Sequence, residues 1–142
     1  MLYTTRTPWV NRPISNKETN TLGLTVLRRG AIKSMTVKVN SVFPDLSKLN
    51  LTVIGPSGDM TALFPLGSLS GTNLVNTVFT DASDDSIVDG VAPYTGEFSA
   101  VQSLDVFNGQ EMYGSWRLKM LPDLSDSAKI TGTIDWSITF NY

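Results

Sequence analysis

Apolar and polar residues alternate with a period of two along most of this chain. Trp116, Leu118 and Met120 share one side of a segment whose other side carries Arg117 and Lys119. Further on, Ile134, Trp136, Ile138 and Phe140 alternate with Asp135, Ser137, Thr139 and Asn141. This is the period of a half-buried strand, and strands that are dry on one face need a second sheet to cover them. The same alternation predicts strands at residues 22–27, at 32–40, where Met35, Val37 and Val39 oppose Ser34, Thr36 and Lys38, and at 49–54. The Gly-Pro-Ser-Gly-Asp run at 55–59 supplies turn residues, after which 62–64 can return as a short paired strand. Residues 67–76 read as a Gly/Ser/Asn loop. Segments 78–79, 104–107, 116–121 and 134–140 bring the count to about eight strands. No stretch has helical periodicity over two turns and there is no internal repeat, so the fold class expected is all-β, a jelly-roll-like β-sandwich.

Residues 1–21 break this pattern. They are rich in Thr, Asn, Arg and Pro and show no sustained period. Pro8 and Pro13 disfavour helix in the residues before them, so the segment is expected to be an extended, basic N-terminal arm, with the sandwich proper spanning 22–142. Tyr3, Arg6, Trp9 and Arg12 are residue types that favour interfaces, and they are the expected partner-binding residues of the arm. The other reading is that the arm folds back over its own sandwich, with Trp9 plugging one open end.

Several ordered motifs carry a family resemblance over roughly residues 31–140. An Asp45-Leu46 pair precedes a strand and the Pro56-Ser57-Gly58 turn; VFTDASDDSI is followed by APYTGEF; and FNG, GSW with an apolar alternation, an acidic turn and GTIDWSI close the chain. Together they resemble the P domain (Homo B domain) of proprotein convertases. The resemblance implies a β-sandwich of the kind that follows and supports a subtilisin-type protease domain, in a family that includes calcium binders. This chain contains no such catalytic domain, so the resemblance carries the sandwich and not the activity.

With 142 residues, the chain is long enough to build one proper core. It has neither cysteine nor histidine. That excludes disulfides, thiolate metal sites, Ser-His-Asp and Cys-His mechanisms, and nearly all zinc sites. No apolar run approaches a membrane span and the N-terminus lacks a secretory h-region, so a soluble chain beginning at its own Met1 is expected. The net charge of -2 conceals a split: residues 1–40 hold seven basic side chains against one acidic, and 41–142 hold four against twelve. A basic end and an acidic body suit an acidic protein partner or a neighbouring copy. Phosphate backbones fit less well, because the basic residues are dispersed and the body would repel nucleic acid.

Asp81, Asp84 and Asp85, with Asp89 nearby, form the densest carboxylate group and are the candidate calcium ligands, since calcium takes six to eight oxygens at flexible spacing. Asp123 and Asp126 form a weaker candidate, Asp123 being equally suited to an Asx turn. Glu97 and Glu111 offer a carboxylate pair for glycoside hydrolysis, but nothing in the sequence makes them face one another. Ser57 lacks the spacing of a nucleophile elbow and reads as a turn serine. Tyr94, Phe98, Tyr113 and Trp116 invite sugar stacking, but Trp116, like Trp136, is in phase with core positions, whereas Tyr94, in the turn-like APYTG, is freer. No catalytic residue is expected. The expected role is a structural or interaction module of a larger assembly, a virion protein such as a phage capsid decoration or head auxiliary, docked through its arm. The alternative is an extracellular calcium-stabilised carbohydrate-binding or protease-accessory P-domain module.

Overall fold

The longest alternating run becomes the longest strand and the spine of the first sheet. The computed structural model describes residues 1–125 and 127–142. In chain order the strands are β1 (Leu2–Arg6), β2 (Arg12–Ser15), β3 (Asn20–Val26), β4 (Ser34–Val42), β5 (Leu51–Ile54), β6 (Met60–Phe64), β7 (Leu74–Phe79), β8 (Gly96–Phe98), β9 (Gly114–Met120) and β10 (Thr131–Asn141). One sheet runs β1-β10-β4-β7-β8, with β2 continuing beside β10 beyond the end of β1; the other runs β3-β9-β5-β6. Among the described residues every pairing between these strands is antiparallel except β7 with β8. The molecule is an all-β sandwich. Among the described residues, no helix is long and apolar enough to cross a membrane.

Register explains why the core closes. Trp136, Ile138 and Phe140 of β10 stand opposite Val39, Val37 and Met35 of β4, so the dry faces of both strands coincide. In the second sheet Leu22 and Leu24 oppose Leu118 and Trp116. The two inner faces meet around Trp116, whose ring lies 5.0 Å from Phe107 and 5.2 Å from Phe140 of the opposite sheet. Each such side chain removed from water contributes about 1.5–3 kcal/mol, before the entropy of ordering it is set against that gain.

The expected strand at 104–107 is instead a 3₁₀ turn, Leu104–Phe107. Its apolar positions at i and i+3 place Leu104 and Phe107 together in the core, and Ser103 caps it by accepting from the Asp105 N–H. β7 starts four residues earlier than the alternation predicts. Asn76 has φ 48° and the β4–β7 register shifts between Val39 and Ser41, so a local irregularity hides the period of two.

The N-terminal segment is extended, as its prolines require, and it lies in cis. β1 pairs with β10 from Leu2–Asn141 to Arg6–Ser137, and β2 pairs from Arg12–Ile134 to Ser15–Thr131. The boundary expected between residues 21 and 22 falls inside β3; seven of the eight expected strands form, and β1 and β2 from the arm, with the short β8, are the three that the alternation does not predict.

Candidate interaction surface

The four arm residues divide between two jobs. Tyr3, opposite Phe140 on the inward side of β1, is half-buried against the core, with the Arg28 guanidinium 5.0 Å from its ring centroid. Trp9 also packs against the core, with Arg12 over its ring at 5.2 Å. These are cation–π pairs at a partly wet surface, each contributing about 0.5–1 kcal/mol. Arg6 is exposed and stands on the outer face opposite Ser137.

Charge segregates across the sandwich. Between residues 49 and 116 there is no lysine or arginine but eight carboxylates, whereas residues 1–48 hold eight basic side chains and two acidic. The first group builds β5 to β8; the second builds β1 to β4. β1 and β3 are edge strands in contact with each other at one lateral side. At the other, β6 and β8 are the edges, tied through the Val101 N–H to the Leu63 carbonyl at 2.9 Å. One side is therefore basic and the other, bearing Asp81, Asp84, Asp85, Asp89 and Glu97, is acidic.

The outer face of the first sheet forms a trough of about 800 Å³. Its floor is a ladder of polar rungs set by register. Thr4, Thr139 and Thr36 form one rung, Arg6, Ser137, Lys38 and Val78 the next, and Asp135 with Asn40 a third. Pro8 and Val10, in the link between β1 and β2, line it as well.

The candidate calcium ligands do not converge. Asp81 accepts from the Ser103 hydroxyl at 2.7 Å and the Leu104 N–H at 3.0 Å, so its carboxylate caps the 3₁₀ turn. The Asp85 backbone carbonyl accepts from the Ser99 N–H at 2.7 Å, and no hydrogen bond places the Asp84 carboxylate beside the other two. Among the described residues, no three acidic side chains are grouped so as to hold a metal ion. Asp123 forms the Asx turn, accepting from the Ser125 hydroxyl and N–H, which together with Lys48 and Lys17 hold its carboxyl below the usual aspartate value. Asp126 lies outside the described residues. Glu111 accepts from the Gly30 N–H at 2.8 Å and the Tyr113 N–H at 3.2 Å, and these bonds, with Arg29 beside them, lower its pKa. Glu97 and Glu111 sit on different elements, and neither lines the trough. Tyr94 is buried, its hydroxyl exchanging bonds with the Ser70 backbone at 3.1 and 3.2 Å, so it is no sugar platform. Tyr113 is exposed and carries Arg29 over its ring at 4.1 Å.

No protein-family model and no curated protein matches this chain. Solved structures do. The chain is similar to the serine protease of Aeromonas sobria in complex with its chaperone ORF2, at TM-score 0.61 and 14% identity, covering 99% of this chain and 26% of that one. The same protease solved without the chaperone gives TM-score 0.53 and 15% identity, again over 26% of its length. The VP2 protein of infectious bursal disease virus, as a D431N mutant in T=1 particles, gives 0.50 and 16%, over 98% of this chain and 31% of VP2. The chain thus spans about a quarter to a third of the proteins it matches. At these identities the likeness is one of fold.

Proposed function

We propose that the chain is a non-catalytic interaction module of a larger protein assembly, and that it docks edge to edge. The observation that carries this reading is the lateral separation of charge, with β1 to β3 at the basic side and β6 to β8 at the acidic side. Such a body attracts a second copy in the heterologous, head-to-tail sense, which closes into rings or propagates. The reading as non-catalytic is supported by composition, since a chain without histidine or cysteine has no imidazole base and no thiol nucleophile, and by the placement of Glu97 and Glu111 on different elements. Because the arm is zipped to β10, the docking element is the basic edge that it forms. A virion surface, as a capsid decoration or head auxiliary protein, is the setting we favour, and the likeness in fold to a VP2 capsid protein is compatible with it.

Sedimentation velocity of the purified chain at low and high ionic strength tests the proposal. Association that salt dissolves, and that Glu97→Lys weakens, supports it. A chain that stays monomeric at low salt overturns docking between copies.

A second reading, an accessory P-domain module of a protease, is supported by the ordered motifs over residues 31–140 and by the likeness in fold to part of a serine protease. It predicts that a subtilisin-type catalytic domain gains thermal stability when mixed with this chain. No change in its melting would end that reading.

A further inference from the structure

We infer that the trough on the outer face of the first sheet is a binding site for an acidic oligosaccharide, a use that is independent of whether copies of the chain associate. The register places Arg6 of β1 and Lys38 of β4 on the same rung, with Ser137 of β10 between them. Strands repeat every 4.7–4.9 Å, so the two cations arise about 10 Å apart, on opposite sides of one hydroxyl. Among the described residues neither cation has a carboxylate within ion-pair distance. Two unpaired like charges flanking a hydroxyl are an unfavourable arrangement on an empty sheet and a favourable one around a bound anion. A carboxylate or sulfate above Ser137 takes charge-assisted bonds from both sides and a third from the hydroxyl.

The surrounding rungs specify what carries the anion. Thr4, Thr139 and Thr36 lie on one side of the charged rung, and Asp135 and Asn40 on the other. Each hydroxyl or amide can both donate and accept, and Asp135 accepts only, a set that matches a chain of sugar hydroxyls. Thr4 and Thr139 already share a hydrogen bond of 2.9 Å between their hydroxyls, which leaves each with further capacity toward the trough. Pro8 and Val10 supply an apolar wall for the C–H face of a pyranose. An acidic peptide is the competing ligand, and the floor argues against it. β10 and β4 are paired on both sides within the sheet, and the free edge of β1 points sideways out of the sheet rather than up into the trough, so a strand added there would not lie on the floor. The volume, about 800 Å³, holds a short oligosaccharide.

The experiment is titration of the full chain, followed by NMR, with three probes: trigalacturonate, its methyl ester, and a sulfated disaccharide. An acidic peptide serves as competitor. Binding of either anionic sugar, with the largest shifts at Ser137 and Thr139 and at least about tenfold weaker binding of the ester, is the expected result. Lys38→Gln should weaken the acidic sugar by about tenfold while leaving the melting temperature unchanged, because Lys38 is exposed. Thr139→Val tests the hydroxyl rung separately and should weaken acid and ester alike. Equal affinity for acid and ester, no binding at millimolar concentration, or tighter binding of the peptide would each overturn the assignment.

Discussion

The backbones of Met1 and Tyr142 hydrogen-bond to each other twice, and the Tyr142 hydroxyl donates to the Met1 sulfur at 3.1 Å. The Met1 ammonium donates to the Tyr142 carbonyl at 3.0 Å, and the Tyr142 N–H donates to the Met1 carbonyl at 2.9 Å. The two ends of the chain are thus closed on one another by the β1–β10 pairing, and Arg28, which donates to the Tyr142 hydroxyl, ties the β3–β4 connection to the same corner.

Removing residues 1–16 should therefore damage the fold rather than trim a tail. The truncation strips β1 and β2 from β10, takes away the buried Ile14, and leaves a long unpaired edge. We expect a loss of at least about 3 kcal/mol, and aggregation on warming. Thermal melting of full-length and truncated chains checks this. A truncated chain that melts with the parent would mean that the segment contributes no stability where it lies.

The core was legible in the sequence because a period of two, once a strand is assumed, sorts every residue to a face. Trp116, Leu118, Ile134, Trp136 and Phe140 are buried as that pattern requires. Short segments were less legible. Leu-Asp-Val-Phe satisfies an alternating strand and a 3₁₀ turn alike, and only the capping Ser103 separates them. Tyr94 looks free in sequence because the Ser70 backbone that receives its hydroxyl is 24 residues away. The trough was invisible for a related reason. Arg6, Ser137 and Lys38 each read as an ordinary wet position, and only register across three strands makes them neighbours.

The two core tryptophans should respond differently to the same substitution. Trp116 Nε1 donates to the Met112 carbonyl at 2.9 Å, whereas Trp136 Nε1 is buried with no acceptor among the described residues. Trp116→Phe leaves that carbonyl unsatisfied and should cost about 2–3 kcal/mol, whereas Trp136→Phe removes an unsatisfied donor and should cost about 1 kcal/mol less. Denaturant melts of both variants decide the order. The reverse ranking would refute the hydrogen-bond account.

Asp81 should matter to stability whether or not calcium is present. Its carboxylate caps the turn that carries Leu104 and Phe107 into the core. Asp81→Ala is expected to cost about 1–2 kcal/mol, the usual loss for a helix cap. Melting the parent in calcium and in chelator is the control, with equal midpoints expected. A midpoint that rises with calcium in the parent and not in the variant would return Asp81 to the role of a ligand.

Glu111 gives the chain a pH dependence whose sign follows from its bonds. The Gly30 and Tyr113 N–H groups and Arg29 favour the ionised carboxylate, so its folded pKa lies below the ordinary glutamate value of 4.5. A depressed pKa stabilises the fold above the unfolded value, and that contribution fades as pH falls through the folded value. The parent should therefore lose stability on acidification below pH 4.5. Glu111→Gln should melt lower than the parent at neutral pH, with the gap closing in acid. Melting curves of both chains across that range measure it, and a gap that stays constant down to the lowest pH would show that the carboxylate charge is not what holds Gly30 and Tyr113.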